Sequence, residues 1–319
     1  MARLTIVIPA VGDQASLDDT LLSVLENRPA DCQVLIAHPV EYQDPYELSD
    51  EVDFVPGAAR AKVVELLQVG CRAAVGTWIH WMLPGVMATP GWTDWLENRR
   101  LTSELQSATP RLLGASAPDG VQRIVADGVQ YRPGGKRSFL NRGSLSTKVL
   151  RAEPIAPSLW AGFVRRSVLS ELDGWNTRIG TEWADVDLGL RLADLDVTCP
   201  VIGDSAVILH SRSLEHQVEP QWGFRSAWRA ERFYRAQQGS YRRAVRHLVH
   251  VVASSLTRLP YPAAFTGLLG SYLARWASPA QMVVSHQLKV VRPDQDETTS
   301  ERKSASTGEA ASATRRRAA

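Results

Sequence analysis

Acidic, aromatic and histidine side chains are concentrated in the segment from Trp175 to His210. Glu182, Trp183 and Asp185 lie within four positions of one another, and His210 ends a later apolar run. Loops that hold these residue types together are commonly sites of proton transfer or ligand binding. A purely structural explanation competes with this one. Carboxylates in the first turn of a helix gain roughly 0.3–1 kcal/mol from the free backbone N–H groups and the helix dipole.

The surrounding segment, residues 159–213, changes its apolar spacing twice. A short apolar run predicts a strand, a 3.6-residue period then predicts a helix, and an acidic helix begins after a tight turn. Asp185 and Asp187 fall in the first turns of the acidic helix, and two predicted strands follow that end at His210. The acids and the histidine are therefore expected at the ends of regular elements.

Strands and helices alternate through the first hundred residues. Apolar runs predict strands at residues 4–10, 32–38, 52–56 and 78–83. Apolar residues at helical spacing predict a helix capped by Ser16 and further helices at residues 58–75 and 92–100. This alternation predicts an α/β fold with a mostly parallel sheet and helices on both faces. Because such sheets bind ligands beyond the carboxyl ends of their strands, we expect sites after Pro9, His38 and Leu83 and near Asp185.

Two stretches of this chain resemble a known family. GWNTRIGTEWADVDLGLRL is similar to the G(F/W)(D/N)…EDVDLxxRL segment of family 2 glycosyltransferases, and VILHS is similar to the strand that follows it and ends in His. The resemblance extends in order over residues 3–260 and implies a GT-A type fold, a mixed, mostly parallel sheet flanked by helices. It implies that Asp185 takes the proton of the attacking sugar hydroxyl and that His210 helps to hold a divalent metal. The residues that it places beside the acceptor are Trp175, Glu182, Trp183 and Asp187.

The resemblance also assigns positions to a nucleotide-sugar donor. LTIVIPAVG is similar to the opening strand of the family, and the positions that correspond to donor contacts are Pro9, Val11, His38, Arg60, Lys62 and Gly162. Two donor motifs of the family are replaced in this chain. The second strand ends in Ile36-Ala37-His38-Pro39, where the family has Asp-Asp-Gly-Ser and reads the nucleoside with its first Asp. The fourth strand ends in Leu83-Pro84-Gly85, where the family has the Asp-x-Asp pair that binds a metal ion on the diphosphate.

The replaced acid pair bears directly on the metal. Mg²⁺ and Mn²⁺ prefer hard oxygen ligands, and Leu83 and Gly85 supply no side-chain oxygen. Two interpretations follow: either Mg²⁺ or Mn²⁺ arrives with the donor and is held in part by His210, or no metal is used. Arginine and lysine pair well with phosphate oxygens and could hold the diphosphate instead. The candidates, each of which could also be a solvated surface cation, are Arg60, Lys62, Arg132, Lys136 and Arg137.

Two features stay open between a functional and a structural explanation. Trp175 and Trp183 could form a platform for a sugar ring, or they could pack in the core. Residues 105–158 contain two predicted short strands, followed by a loop rich in Gly, Pro and Arg, YRPGGKRSFLNRGS. This loop is long enough to be a flap over a ligand, and its alternative is an irregular insertion.

The composition is that of a globular protein with an appendage. The 319 residues are 44% hydrophobic and 22% charged, which suits one large α/β domain at residues 1–215. The three cysteines have neither metal-site nor disulfide spacing, and the formal net charge of +2 gives no reason to expect nucleic acid as a partner. The first apolar run is too short for the core of a signal peptide, and no run is long enough for a spanning helix.

The remaining third of the chain differs in composition. Residues 216–290 combine aromatic residues with a concentration of arginines, which predicts a helical extension that lies on an anionic membrane surface or packs back on the main domain. Residues 291–319 hold too few apolar side chains to bury a core and are predicted to be a disordered tail. We therefore expect the chain in the cytoplasm, at the inner face of the membrane if the extension contacts lipid.

Two functions are compatible with these residues. The leading hypothesis is an inverting glycosyltransferase that moves a sugar from a nucleoside diphosphate to a glycan or lipid-linked acceptor, in the synthesis of cell-envelope polysaccharide or glycoconjugates. The alternative is a non-catalytic binding or scaffold protein of the same fold that keeps the acceptor half and has lost the donor half. A nucleotidyltransferase would also need metal-binding acids, which disfavours it.

Overall fold

A computed structural model describes residues 3–115, 120–132, 136–147, 152–177 and 180–210, together with Val249. The predicted helical extension at residues 216–290, apart from Val249, and the predicted tail at residues 291–319 lie outside the described residues, as does the domain boundary at residue 215. Within the described part, no helix is both long enough and apolar enough to cross a membrane.

Four parallel strands and two helices make up the first part of the fold. They are β1 (Leu4–Pro9), α1 (Gln14–Asn27), β2 (Cys32–His38), β3 (Asp53–Pro56), α2 (Val63–Ala73) and β4 (Trp78–Met82). Every residue of β1 is buried, as expected of a parallel strand that is covered on both faces. The predicted alternation of strands and helices is confirmed here.

The second part of the fold is less regular and adds antiparallel strands. Its elements are β5 (Val86–Ala88), a 3-10 turn (Asp94–Glu97), α3 (Arg99–Glu104), β6 (Ser107–Gly114), β7 (Ile124–Ala126), β8 (Val129–Arg132), β9 (Lys136–Phe139), β10 (Ala161–Arg165), α4 (Arg166–Glu171), a second 3-10 turn (Thr181–Trp183), α5 (Ala184–Asp194) and β11 (Val201–Leu209). β8 and β9 pair with each other as a separate hairpin.

The main sheet of the described residues has nine strands in the order β3-β2-β1-β4-β10-β6-β11-β5, with β7 paired to β6. Six of the nine strands run in one direction, and β5, β7 and β10 run against them. The strand order reverses at β1, since β2 and β3 extend to one side and β4 lies on the other. The predicted sheet, mixed and mostly parallel, is therefore confirmed, and its switch point marks the expected ligand edge.

The two faces of the sheet bury separate cores. Leu4, Ile6 and Ile8 of β1 pack on the side of α1 and the first 3-10 turn. Val7 points to the opposite side, which is covered by α2, α4 and α5. This alternation is the two-residue period of a strand, and it is why a continuous apolar run suits β1. The acidic helix α5 thus belongs to the same layer as α2.

Several predicted boundaries are wrong in detail. Asp13 caps α1 in place of Ser16, because its carboxylate accepts from the backbone N–H of Ser16 at 2.8 Å. The helix predicted at residues 92–100 is the first 3-10 turn followed by α3, because the side chain of Asn98 caps a new helix start. The two strands predicted before His210 are the single strand β11, whose register shifts between Ile202 and Ala206. Part of the predicted Gly/Pro/Arg-rich loop is the β8–β9 hairpin.

Candidate functional site

The turn that follows β4 joins three segments at the carboxyl edge of the sheet. The backbone N–H of Leu83 donates to the carbonyl of Trp160 at 2.9 Å, and the N–H of His210 donates to the carbonyl of Gly85 at 2.8 Å. The N–H of Gly85 donates to the side-chain oxygen of Thr20 at 2.9 Å. Gly85 has a φ of +89°, a conformation that glycine adopts without strain. The turn at residues 83–85, Trp160 and His210 therefore lie together, as the sequence order alone could not show.

Asp185 lies beside this turn. It is the second residue of α5 and is fully buried. The backbone N–H of Leu159 donates to Asp185 Oδ2 at 3.1 Å, and Leu159 directly precedes Trp160, whose carbonyl holds the turn. Leu159 and Trp160 thus connect the carboxylate to Leu83, which begins the turn where family 2 glycosyltransferases have the Asp-x-Asp pair.

Arg137 of β9 forms a bidentate ion pair with Asp185. Arg137 Nε donates to Oδ1 at 3.0 Å, and an Nη donates to Oδ2 at 2.5 Å. The backbone N–H groups of Leu159 and Val186 complete the set, one on each carboxylate oxygen. A carboxylate offers about four lone-pair positions, so all of them are occupied. Asp185 can accept a further proton donor only after one of these partners leaves.

Phe139 and Trp160 form an aromatic wall next to the ion pair. Their ring centroids lie 4.9 Å apart, and both side chains are half-buried. The guanidinium of Arg137 lies 4.5 Å from the centroid of the Phe139 ring, and that of Arg142 lies 5.7 Å from it. Sequence reasoning missed Phe139, Trp160 and Arg142 as site residues. The signal was the spacing in KRSFLNR, which puts two arginines around one phenylalanine.

Four residues predicted beside the acceptor lie elsewhere or are only partly described. Trp175 is 3% exposed and packs edge-on against Trp81 with ring centroids 5.0 Å apart, and Trp183 is 8% exposed in the same core. Neither has a free ring face for a sugar, so the predicted platform is wrong and core packing is correct. Asp187 is 2% exposed and is paired with Arg191 at 2.8 Å, and Asn176 donates to the same carboxylate, so Asp187 belongs to a buried network that joins α5 to the preceding loop. Glu182 lies in the second 3-10 turn, and its side chain is outside the described residues.

The predicted donor contacts at the first two strands lie at the expected edge. Pro9 is buried at the end of β1, and Val11 follows it half-buried. His38 Nδ1 donates to the carbonyl of Pro39 at 2.8 Å, and its ring packs against Tyr42 and Phe54. The rings of His38, Tyr42 and Phe54 therefore lie where family 2 glycosyltransferases have the Asp that binds the nucleoside.

The cationic candidates separate into two groups. Arg60 lies in the loop that precedes α2, Lys62 is the N-cap of that helix, and both are exposed. The backbone N–H of Lys62 donates to the Glu65 carboxylate. Arg137 contacts Asp185. The positions of Arg132 and Lys136 are in the hairpin, and their side chains are outside the described residues.

Gly162 has a structural reason to lack a side chain. A Cβ at this position would lie 2.3 Å from both the Trp81 ring and the side chain of Pro157. The residue is buried in β10, paired with Trp81 across the β4–β10 ladder. Close packing against Trp81 therefore explains this glycine without a donor.

The residues at the turn do not fit a resident divalent metal. Leu83 is buried and apolar, Gly85 has no side chain, and the Asp185 carboxylate is fully occupied. His210, which is bonded to Gly85 through its backbone, has an exposed side chain that could bind a metal. Among the described residues, no group of three or more His, Cys, Asp or Glu side chains could hold a metal ion. Mg²⁺ and Mn²⁺ need several oxygen ligands, which this turn does not supply.

The two buried cysteines add no reactive group. Burial raises the pKa of the thiols of Cys71 and Cys199 to about 12. Both thiols stay protonated at neutral pH and are therefore poor nucleophiles. Neither thiol is therefore a candidate nucleophile or base.

Comparison with known proteins shows the fold. The sequence matches no protein-family model and no curated protein. Among solved structures, S. aureus TarS residues 1–349 is similar with a TM-score of 0.56 and 11% identity over 86% of this chain and 80% of that one. The same TarS segment in complex with UDP-GlcNAc gives a TM-score of 0.57, again at 11% identity, over 86% of this chain and 81% of that one.

A third structure extends the comparison. GalNAc-T7 with UDP, GalNAc and Mn²⁺ is similar with a TM-score of 0.53 and 12% identity over 83% of this chain and 54% of that one. This chain therefore matches only about half the length of GalNAc-T7. These similarities show that the chain has a GT-A type glycosyltransferase fold.

Proposed function

We propose that this chain is a glycosyltransferase that moves a sugar from a nucleoside diphosphate donor to an acceptor hydroxyl with inversion. The observation that carries the proposal is the position of Asp185, buried at the carboxyl edge beside the turn after β4. Ligands of such sheets bind at this edge. The fold also supports a nucleoside diphosphate sugar as donor. TarS and GalNAc-T7 have similar folds, and their structures hold UDP-GlcNAc and UDP.

In the proposed reaction, the acceptor oxygen bonds to the anomeric carbon on the face opposite the diphosphate. The bond from that carbon to the diphosphate oxygen breaks, and its electron pair leaves with the nucleoside diphosphate. Asp185 takes the proton of the hydroxyl, after one of its four hydrogen-bond donors has moved away. The half-buried rings of Phe139 and Trp160 are the platform for a sugar ring, in place of Trp175 and Trp183.

The proposal extends to family and setting. The resemblance of residues 174–192 and of VILHS to family 2 glycosyltransferases supports membership of that family. It also supports a glycan or lipid-linked acceptor, as in cell-envelope polysaccharide synthesis at the inner face of a membrane. No metal is assigned to the turn at residues 83–85, because its side chains do not fit one.

A non-catalytic binding protein is the second candidate, and one observation favours it. The carboxylate of Asp185 is occupied by four donors, which is also what a purely structural buried acid requires. Under this alternative, the same edge would bind a glycan without turnover.

Turnover of an Asp185→Asn variant separates the two candidates. Release of nucleoside diphosphate is measured with a panel of nucleotide sugars, and the variant is expected to lose about 10²–10⁴-fold in kcat because the proton acceptor is gone. Asp187→Asn is the matched control, since Asp187 is also buried in α5 and paired with an arginine. Both variants are expected to lose roughly 1–3 kcal/mol of unfolding free energy, the value of charge-assisted hydrogen bonds.

Melting curves measured beside the assay show how much of each variant is folded. Wild-type turnover in folded Asp185→Asn protein would end the assignment of Asp185 as the base. Wild-type protein that binds a glycan but turns over none of the nucleotide sugars would establish the binding function instead.

A further inference from the structure

Two guanidinium groups lie around one aromatic ring at the carboxyl edge. Arg137 and Arg142 approach the Phe139 ring at 4.5 and 5.7 Å from its centroid. The side chain of Arg137 is 21% exposed, so its guanidinium is partly accessible beside the buried Asp185. Arg142 is exposed, and no acidic side chain of the described residues forms an ion pair with it. Asp185 balances the charge of Arg137, so the charge of Arg142 is left unbalanced within this group of three side chains.

The two arginines lie near a turn that has no acidic side chains to hold a metal ion. Asp185 accepts from Leu159, and the adjacent Trp160 carbonyl accepts from Leu83 of the turn where the acid pair is missing. A ligand diphosphate at this turn would meet no side-chain ligands for a metal ion from Leu83 or Gly85. The planar fork of arginine binds a phosphate with the same two-point geometry that it uses for a carboxylate.

We propose that Arg137 and Arg142 bind the donor diphosphate without a metal ion, and that Arg137 exchanges its contact with Asp185 for a contact with phosphate. This inference rests on the proposed function. The exchange removes two of the four hydrogen bonds to Asp185, those from Nε and Nη of Arg137. The bonds from Leu159 and Val186 remain and keep the carboxylate in place.

The move of Arg137 from Asp185 to the diphosphate makes proton transfer to Asp185 depend on donor binding. Asp185 has free lone pairs for the acceptor hydroxyl only while Arg137 is on the diphosphate. Donor therefore binds before the acceptor can be deprotonated, and both arginines are in place to stabilise the charge that develops on the leaving diphosphate. Without donor, the ion pair keeps Asp185 from acting on other hydroxyls.

Binding of inorganic pyrophosphate and of UDP in EDTA, measured by calorimetry, tests the anion site. Wild-type protein is expected to bind both, and Arg137→Gln and Arg142→Gln are each expected to weaken binding about tenfold, the size of one charge-assisted contact. Arg100→Gln is the control, because Arg100 is 86% exposed on α3 and pairs only locally with Glu104. Equal affinity in wild type and both site variants, or binding that requires Mn²⁺, would overturn the proposal.

The pyrophosphate affinity of Asp185→Asn distinguishes the proposed exchange from an ion pair with only a structural role. Removing the competing carboxylate charge is expected to raise the affinity for pyrophosphate about tenfold, and Arg137→Gln in the same chain should abolish that gain. Unchanged or lowered affinity in folded Asp185→Asn protein would overturn the exchange. If this variant does not fold, Arg137→Lys replaces it. Lysine keeps the charge without the fork, and affinity equal to that of wild type would contradict the two-point contact.

The binding and turnover experiments allow the anion site and the transferase function to be rejected independently of each other. Turnover of a nucleotide sugar together with pyrophosphate binding that is indifferent to both arginines overturns the exchange and leaves the transferase function. Arginine-dependent binding in EDTA with no turnover of any donor supports the anion site and overturns the transferase.

Discussion

Asp185 is held by side-chain and backbone groups from three parts of the chain. Arg137 comes from the β8–β9 hairpin, Leu159 from the segment before β10, and Val186 from the helix of Asp185 itself. Asp187, two residues along α5, has a different environment, since its contacts are with Arg191 and Asn176. Two carboxylates of the same motif are therefore placed in different networks. Asp185 is at the carboxyl edge of the sheet, and Asp187 is paired with Arg191 of its own helix.

Metal binding by the free protein is predicted to be weak. Equilibrium dialysis against micromolar Mn²⁺ or Mg²⁺ is expected to show no bound ion, because Leu83 and Gly85 supply no side-chain oxygen and no group of three acidic, Cys or His side chains among the described residues fits a metal. His210→Ala should leave the result unchanged. Stoichiometric binding that survives this substitution would reveal a site elsewhere in the chain.

The element that brings the site together is β10. It runs antiparallel between β4 and β6, in a sheet whose central strands are otherwise parallel. The two residues before it, Leu159 and Trp160, contact Asp185 and the turn after β4 through their backbones. Any displacement of β10 relative to β4 would therefore shift Asp185 relative to the turn after β4.

Gly162→Ala tests how tightly β10 packs against β4. The added methyl group would lie 2.3 Å from the Trp81 ring and from Pro157, so β10 must move or the ring must rotate. We expect a loss of about 1–3 kcal/mol in unfolding free energy, the usual cost of overpacking, measured by urea titration. Gly203→Ala in β11 is the control, because nothing lies within 4 Å of its added Cβ. Equal stability of the two variants would show that the packing at Gly162 is loose.

At the scale of the whole molecule, the sheet separates two apolar cores, and His80 is buried in its centre. Its ring stacks on Phe163 with centroids 3.8 Å apart and lies 4.7 Å from that of Trp92. Burial lowers the pKa of His80 to about 3, against a smaller opposing effect from the backbone of Gly162. The folded protein therefore keeps this histidine neutral, whereas the unfolded chain protonates it near its ordinary pKa of about 6.5.

This difference predicts acid sensitivity. Between about pH 6.5 and 3 the unfolded state binds one more proton at His80 than the folded state, so stability falls as the pH falls. The contribution is about 1.4 kcal/mol for each pH unit at most. The unfolding free energy of wild type, measured by urea titration at several pH values from 7 to 4, should fall more steeply with falling pH than that of His80→Leu. Parallel curves for wild type and His80→Leu would contradict the assignment.

The strands and helices of the first part of the fold could be predicted from the sequence. The apolar runs of β1, β2 and β4 report burial on both faces, and burial of this kind is a local property of each run. The same is true of Asp185 at the start of an acidic helix, which the spacing of α5 predicted. The antiparallel insertion of β10 was not predictable, because strand direction depends on pairing partners that are distant in the chain.

The roles of individual side chains were decided by tertiary packing. A tryptophan is apolar in any context, so the sequence could not distinguish the buried Trp175 and Trp183 from the half-buried Trp160. An arginine in a loop is equally ambiguous, and only the folded hairpin brings Arg137 onto Asp185, 48 positions away. The sequence by itself determined the fold class, the acidic helix and the missing acid pair after β4, since these depend on residue type and local spacing. The tertiary structure decided which carboxylate and which cation meet, because that contact depends on how distant segments pack.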